Sequence, residues 1–241
     1  MSTIQENIEH IHCQIRSAEE KFSRPSQSVQ LLAVSKTKPI EALEQAIAAG
    51  QRQFGENYVQ EGVDKIHYFA QHYNQSELEW HFIGPIQSNK TRLIAENFDW
   101  VHSVDREKIA QRLNDQRVEH VQKTNTSPLQ VLIQVNTSGE KSKSGIDHTE
   151  VFALAQLINT LPNLTLRGLM SIPENVLDHQ SQLAAFQQLA QLHQKLKALY
   201  PQVDTLSMGM SGDMQAAIEA GSTMVRIGTA IFGARDYSQS K

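Results

Sequence analysis

Hydrophobic positions near the N-terminus recur every three to four residues, which is the period of a helix with one apolar face. The repeat consists of Ile4, Ile8, Ile11 and Ile15, and it stops before Arg24 and Pro25. Farther along, short apolar runs alternate with longer segments of helical period. The runs that predict strands lie at residues 30–35, 52–55, 78–84, 100–103, 129–135, 164–170, 205–207 and 223–227. The pattern predicts an N-terminal helix over residues 1–24, followed by strands that alternate with helices.

The segments between these runs predict helices at residues 40–49, 57–73, 105–116, 149–160, 179–199 and 212–219. Runs such as 31–34 and 131–133 are apolar at successive positions, as in a parallel sheet covered on both faces. Eight strand–helix units predict an α/β fold, a single closed (β/α)8 barrel domain over residues 1–241. An open doubly wound sheet is the alternative, but it usually has a glycine-rich turn where this chain reads Ser35, Lys36, Thr37, Lys38. The polar segment 123–128 is expected to be a surface loop.

Composition limits the classes of partner. Lys and Arg number 22 against 26 Asp and Glu, a net charge of -4, so no global charge attracts nucleic acid or an anionic membrane. Cys13 is the only cysteine, which excludes an internal disulfide and suits a reducing compartment. Residues 1–20 are polar and lack the apolar core of a signal sequence, and no later apolar run approaches the ~20 residues that span a bilayer. We expect a soluble, cytoplasmic protein with a small ligand and no nucleic-acid or membrane partner.

Lys36 lies just past the first predicted strand, at the same parity as Leu32 and Val34. If that face lines the barrel, Lys36 stands at the mouth, where functional groups gather in this fold. A partly desolvated lysine supplies the neutral amine that attacks an aldehyde to form a Schiff base. A solvated lysine is the ordinary alternative. Lys38 shares the parity, and the pattern alone does not choose between the two lysines.

Small residues open the predicted turns after the last two strands, at 206–213 and 225–229. Backbone N–H groups at such turns suit a phosphate, and the loops after strands seven and eight often bind phosphate in these barrels. Ordinary helix capping by Ser211 and Thr229 is the alternative. Arg226 shares the parity of Gly228, so we expect it to face inward. A buried arginine needs a specific acceptor, either a carboxylate or a ligand atom, and both remain open.

The ten histidines offer no spacing that suits a metal site, and we expect none. His10 and His12 diverge on a helix, while His67 and His72 are five residues apart. His81 lies in the third predicted strand. It either contacts a ring in the mouth or is a hydrogen-bonded core histidine, and the second interpretation is favoured.

Seven segments, in order along nearly the whole chain, closely resemble the pyridoxal phosphate homeostasis protein family. They are AVSKTKP (33–39), FGENYVQE (54–61), WHFIGPIQSNK (80–90), VNTSGE with KSG (135–140 and 143–145), RGLM (167–170), LSMGMSGD (206–213) and VRIGTAIFG (225–233). Each motif is weak alone, but seven in register are specific.

The resemblance implies a barrel like the N-terminal domain of alanine racemase, with Lys36 holding pyridoxal 5′-phosphate as a Schiff base. It implies that Ser211, Gly228 and Thr229 bind the phosphate, that Arg226 faces the pyridine nitrogen and that Asn57 lies near the ring. An arginine opposite that nitrogen keeps it unprotonated, which weakens the ring as an electron sink.

These expectations favour a monomeric protein that sequesters and delivers intracellular pyridoxal 5′-phosphate, with pyridoxal-dependent apoenzymes as recipients, and not an efficient enzyme. One alternative is a single-domain amino-acid racemase in which Tyr58 or His81 replaces a tyrosine base. Racemases of this fold take that tyrosine from a second domain, for which we expect no room before Lys241. A remoter alternative is an aldolase that uses Lys36 without a cofactor.

Overall fold

The protein is a closed barrel of parallel strands, in a computed structural model that describes residues 1–74, 77–124, 126–141 and 143–234. Side chains of residues 119–124 lie outside this description. The strands follow one another around the barrel in chain order, and β8 pairs with β1. They are β1 (Gln30–Val34), β2 (Gln53–Glu56), β3 (Glu79–Phe82), β4 (Trp100–Val104), β5 (Leu129–Gln134), β6 (Leu164–Met170), β7 (Thr205–Ser207) and β8 (Met224–Ile227). The predicted barrel is confirmed, and the open sheet is excluded.

Helices cover the outside of the barrel and connect its strands. They are α1 (Ile4–Lys21), α2 (Ile40–Ala48), α3 (Val59–His72), α4 (Thr91–Asn97), α5 (Glu107–Thr124), α6 (Val151–Thr160), α7 (His179–Leu199), α8 (Met214–Ala220) and α9 (Thr229–Phe232). The Thr3 hydroxyl caps α1 by accepting from the Glu6 N–H, and Asp178 caps α7 through the Ser181 N–H. Among the described residues, no helix is long and apolar enough to cross a membrane.

The apolar face predicted for the N-terminal helix is buried in the main core. Ile8, Ile11 and Ile15 are each at most 3% exposed and belong to the large cluster between the strands and the helices. The Asn7 side chain also donates to the Ile231 carbonyl, which ties α1 to α9. Helix α1 therefore packs on the barrel beside α9, the helix that follows the last strand.

The barrel interior is polar as well as apolar. Two small clusters, separate from the main core, face inward by strand parity: Leu32, Ile83 and Met224, and Trp100, Leu132 and Met170. Buried polar side chains share the interior with them, namely His81, His102, Ser207 and Arg226. Because inward-facing residues of such barrels are usually large and branched, this polar set marks the interior as more than a packing core.

The main differences from the sequence predictions concern two helix boundaries and one short helix. Helix α5 continues to Thr124, so the expectation that 123 and 124 belong to a surface loop is wrong; residues 117–124 contain no glycine or proline to end the helix. Helix α8 begins at Met214, because residues 210–213 form a turn closed by Asp213. The short helix α4 was not among the predicted helices.

Candidate functional site

A cavity of about 310 Å³ opens at the carboxyl ends of β1, β7 and β8. That volume lies at the lower end of the roughly 300–1,000 Å³ typical of small-molecule sites. Its lining includes five of the six residues that the sequence singled out for a cofactor: Lys36, Ser211, Arg226, Gly228 and Thr229. Val34, Lys38, Met210, Gly212 and Gly233 complete it. The structure thus brings together residues up to 199 positions apart in the chain, Val34 and Gly233.

The backbone on both sides of Lys36 is held by side chains of α3. The Thr37 N–H donates to Glu61 Oε1 at 2.5 Å, and Lys65 Nζ donates to the Ser35 carbonyl at 2.7 Å. Thr37 has a φ of 65°, in the left-handed region that few residues without glycine's freedom adopt. This turn follows the end of β1, and Lys36 is its first residue. The location of Lys36 is therefore fixed by contacts made outside the barrel.

The α3 contacts form a buried ionic cluster behind Lys36. Lys65 Nζ lies 2.7 Å from Glu56 Oε1 and 2.8 Å from Glu61 Oε1, and the Ser35 hydroxyl donates to Glu56 Oε1 at 2.8 Å. Burial raises the pKa of Glu56 to about 7, although Lys65 and Ser35 oppose the shift. The second oxygen, Oε2, is buried without a hydrogen-bond partner among the described residues. The pattern of the sequence did not reveal this cluster, since its members come from different elements.

Lys38 also lines the cavity, but its amine is directed to the chain beyond α9. Lys38 Nζ donates to the Gly233 carbonyl at 3.2 Å and to the Ala234 carbonyl at 3.0 Å. The Lys38 amine would have to leave both carbonyls before it could attack an aldehyde in the cavity.

The turn after β7 presents Ser211 and Gly212 to the cavity. Asp213 closes the turn, because its carboxylate accepts from the Met210 N–H at 2.6 Å. A Cβ atom added to Gly212 would meet nothing within 4 Å, so open space lies beside its backbone. Across the cavity, Gly228 and Thr229 open α9, and the first amides of a helix have no acceptor inside it. Hydroxyl and N–H donors therefore border open space from two strands, as a phosphate requires.

Arg226 faces the barrel interior, as its parity predicted, and is 4% exposed. Its Nη1 donates to the Ser207 hydroxyl oxygen at 2.7 Å and its Nη2 to the Ser171 carbonyl at 2.8 Å. Burial lowers the pKa of Arg226 to about 10, opposed by the charge of Asp213. These acceptors are thus a hydroxyl and a carbonyl, while Arg226 also borders the cavity.

Three residues considered in the sequence do not line the cavity. Asn57 lies just beyond the end of β2. Its carbonyl oxygen is so close to Gly84 that a Cβ atom added to Gly84 would lie 2.3 Å from it. Its side-chain Oδ1 is buried without a partner among the described residues. Tyr58 is 51% exposed. His81 is buried and bonded to Glu79 and His102, so the interpretation of a hydrogen-bonded core histidine is confirmed.

The lining fits a phosphorylated aldehyde such as pyridoxal 5′-phosphate. Lys36, Lys38 and Arg226 bring three basic side chains to one small cavity, which favours a dianionic phosphate. Next to Arg226, the Ser171 hydroxyl is buried without a hydrogen-bond partner among the described residues. Sequence reasoning missed Ser171, because only its position just after β6 marked it.

Comparisons with known proteins agree with this fit. The chain matches the family described as alanine racemase, N-terminal domain, over residues 7–236. A pyridoxal phosphate homeostasis protein of Vibrio cholerae is 71% identical over 240 residues, which cover 100% of both chains. The protein of that name from Escherichia coli is 56% identical and covers 99% of this chain and 100% of its own.

One related protein has a solved structure that contains pyridoxal 5′-phosphate. PipY of Synechococcus elongatus, with pyridoxal 5′-phosphate bound, is 35% identical to this chain and superimposes with a TM-score of 0.78. The match covers 96% of this chain and 100% of PipY. A barrel of the same architecture thus binds the molecule that the cavity fits.

Proposed function

This chain belongs to the pyridoxal phosphate homeostasis proteins of the alanine racemase N-terminal domain family, and from that premise we propose that it holds pyridoxal 5′-phosphate as a Schiff base on Lys36. The observation that carries the proposal is the single cavity of about 310 Å³ in which Lys36, Arg226 and the two small-residue turns meet. The PLP-bound structure of PipY supports the same ligand.

Each group has a separate task in this proposal. Ser211, Gly228 and Thr229 bind the phosphate, and Lys36 attacks the aldehyde carbon with loss of water. Arg226 faces the pyridine nitrogen with the donors that Ser207 and Ser171 leave over. Asn57 lies outside the lining, so only the family resemblance supports a place for it at the edge of the ring.

The geometry favours storage and delivery over rapid catalysis. Bound pyridoxal 5′-phosphate supplies an electrophilic carbon and a ring that stabilises negative charge best when its nitrogen is protonated. A guanidinium retains its proton at neutral pH even at a pKa of about 10, so Arg226 donates to the nitrogen and does not protonate it. We propose that the protein sequesters the cofactor in the cytoplasm as a monomer and delivers it to pyridoxal-dependent apoenzymes. The curated relatives carry the name of homeostasis proteins and not of enzymes.

Absorbance spectroscopy tests the site. We expect purified protein with added pyridoxal 5′-phosphate to show the visible band of a lysine-bound aldehyde, and borohydride followed by peptide mapping to place the reduced adduct on Lys36. Lys36→Ala should lose the band. Lys38→Ala is the matched control, because Lys38 lines the same cavity, and it should keep an adduct on Lys36. An adduct on Lys38 in the unaltered protein would refute the assignment.

Proton exchange tests the absence of efficient catalysis. With D- or L-alanine in D2O, the loaded protein should exchange the α-proton far more slowly than a racemase turns over. The single-domain racemase predicts exchange at enzyme-like rates, and that result would overturn the carrier proposal. Neither Tyr58 nor His81, the residues considered as its base, lines the cavity.

A further inference from the structure

A continuous chain of hydrogen bonds crosses the barrel interior from its base to Arg226. Glu79 Oε1 lies 2.6 Å from His81 Nε2, and His81 Nδ1 lies 2.8 Å from His102 Nε2. His102 Nδ1 lies 2.9 Å from the Ser207 hydroxyl, which accepts from Arg226. Strands β3, β4, β7 and β8 contribute the members in turn. The links span the full height of the barrel, because Glu79 begins β3 and Arg226 borders the cavity.

Donor and acceptor rules give this chain one direction when Glu79 is ionised. Burial works to raise the pKa of Glu79, but hydrogen bonds and positive charge outweigh it, so that its pKa lies below the ordinary value. The carboxylate then accepts from His81 Nε2–H, which leaves Nδ1 of a neutral His81 as an acceptor. His102 must donate from Nε2, so its Nδ1 accepts the Ser207 hydroxyl proton. The Ser207 oxygen is then free to accept from Arg226.

Protonation of His81 would reverse the order. A cationic His81 donates from both nitrogens, so His102 must accept at Nε2 and donate from Nδ1 to the Ser207 oxygen. That oxygen then receives two donors, and its own proton loses its acceptor. Burial lowers the pKa of His102 well below its usual range, so His102 itself stays neutral. The charged and titratable groups around His81 are Glu79, Asp99, His102, and, acting on its neighbours, Arg167 and Arg226.

Packing also holds the two histidine rings in place. The Trp100 ring stacks on His81 at 5.1 Å between centroids, and the Arg167 guanidinium lies over the Trp100 ring, 4.7 Å from its centre. His81 and His102 are both fully buried. Polar side chains in such a place cost free energy unless each is hydrogen-bonded, and this chain bonds both nitrogens of both rings.

We propose that Glu79, His81 and His102 are positioning residues that direct the Ser207 hydroxyl proton away from Arg226 and so hold the guanidinium ready for the pyridine nitrogen. The inference deepens the proposed function and rests on it for the ligand. It links the base of the barrel to the cofactor cavity at its mouth. Linkage is reciprocal: if protonation of Glu79 alters cofactor affinity, cofactor binding alters the proton affinity of Glu79 by the same factor.

Nitrogen-15 spectroscopy tests the order of the chain without any cofactor. Long-range proton–nitrogen correlation of histidine-labelled, cofactor-free protein should show His102 as the neutral Nε2–H tautomer at pH 7, assigned with the variant His102→Gln. In Glu79→Leu, which removes the acceptor, a second tautomer of His102 should appear. A His102 Nδ1–H tautomer in the unaltered protein, or no change in Glu79→Leu, would refute the relay.

Cofactor affinity tests the coupling. Glu79→Leu should raise the dissociation constant of pyridoxal 5′-phosphate by about threefold to tenfold, the loss of one ordered hydrogen bond. Glu79→Gln keeps an acceptor oxygen and should recover most of it. Glu77→Leu is the matched control. Glu77 is exposed and lines, together with Glu79, a second cavity at the base of the barrel, so this variant should leave affinity unchanged. Equal affinities in all three variants would overturn the coupling. If the unaltered protein binds no pyridoxal 5′-phosphate, the proposed function fails, and the tautomers alone decide the relay.

Discussion

At the scale of single residues, Glu56 makes the stability of the protein depend on pH in an unusual direction. Its pKa of about 7 in the folded state lies above the ordinary 4.5, so the folded protein retains a proton that the unfolded chain releases. This contribution is fully present below the ordinary value and is lost as the pH rises toward 7. Most buried carboxylates that pair with lysine behave in the opposite way.

The free energy of unfolding of the unaltered protein should fall by up to about 3 kcal/mol between acidic and neutral pH, and Glu56→Gln should remove this fall. Urea unfolding of both proteins at several pH values from 4.5 to 7.5 measures it. Glu20→Gln, which changes an exposed carboxylate of α1, serves as the control and should keep the slope of the unaltered protein. Parallel stability curves for Glu56→Gln and the unaltered protein would contradict the prediction.

Single residues also show how far the sequence determines the site. The parity of Lys36 with Leu32, and of Arg226 with Gly228, predicted which side chains face inward, because a strand alternates its faces strictly. The clamp by Glu61 and Lys65 was not predictable, since it depends on how α3 lies against the end of β1. Asn57 was suggested by resemblance alone, and the cavity does not include it.

At the scale of elements, the turn between β7 and α8 depends on Gly209. Its φ is 105°, and a Cβ atom there would lie 2.6 Å from the Ala217 Cβ. Its carbonyl accepts from the Arg226 N–H at 2.9 Å, so the same residue joins this turn to β8. A side chain at this position would separate the turn from α8.

Gly209→Ala should lower the free energy of unfolding by about 2 kcal/mol or more, from backbone strain and overpacking together. Gly212→Ala, three residues along the same turn, has open space and should change stability by no more than about 0.5 kcal/mol. Denaturant unfolding of the two variants compares them directly. Equal losses would show that the turn relaxes around Gly209.

Element types were easier to predict than element ends. The alternation of apolar runs and helical periods identified all of the barrel strands, but the start of α8 depends on a side-chain bond from Met210 N–H to Asp213. Similarly, no glycine or proline in 117–124 marks an end to α5, so the sequence pattern did not show how far the helix continues. Turn chemistry of this kind involves single hydrogen bonds that periodicity does not contain.

At the scale of the whole molecule, ligand binding should stabilise the barrel by mass action. Pyridoxal 5′-phosphate at about a hundred times its dissociation constant contributes roughly 2.7 kcal/mol, which for a chain of this size corresponds to about 5–10 °C in melting temperature. Differential scanning fluorimetry measures the shift. Pyridoxine 5′-phosphate, which has the phosphate but no aldehyde, should give a smaller shift at the same concentration. The Lys36→Ala variant should likewise show a smaller shift with pyridoxal 5′-phosphate.

The closed barrel was predictable because eight strand–helix units leave few other arrangements, whereas the contents of its interior were not. The contact between His81 and His102 requires the register of β3 against β4, which aligns His81 with Trp100. Nothing in the order of the residues states that register. The polar relay is thus a property of the assembled barrel.

The placement of Ser211 and Thr229 on the exposed rim has a consequence for the speed of handover. In the proposed site both residues that bind the phosphate are open to solvent, so no covering loop would have to move before the ligand leaves. Its residence time would then be limited by hydrolysis of the proposed bond to Lys36, or by attack of an incoming amine on the same carbon. Added primary amines should therefore hasten release, and a recipient protein with its own reactive lysine would take the aldehyde directly.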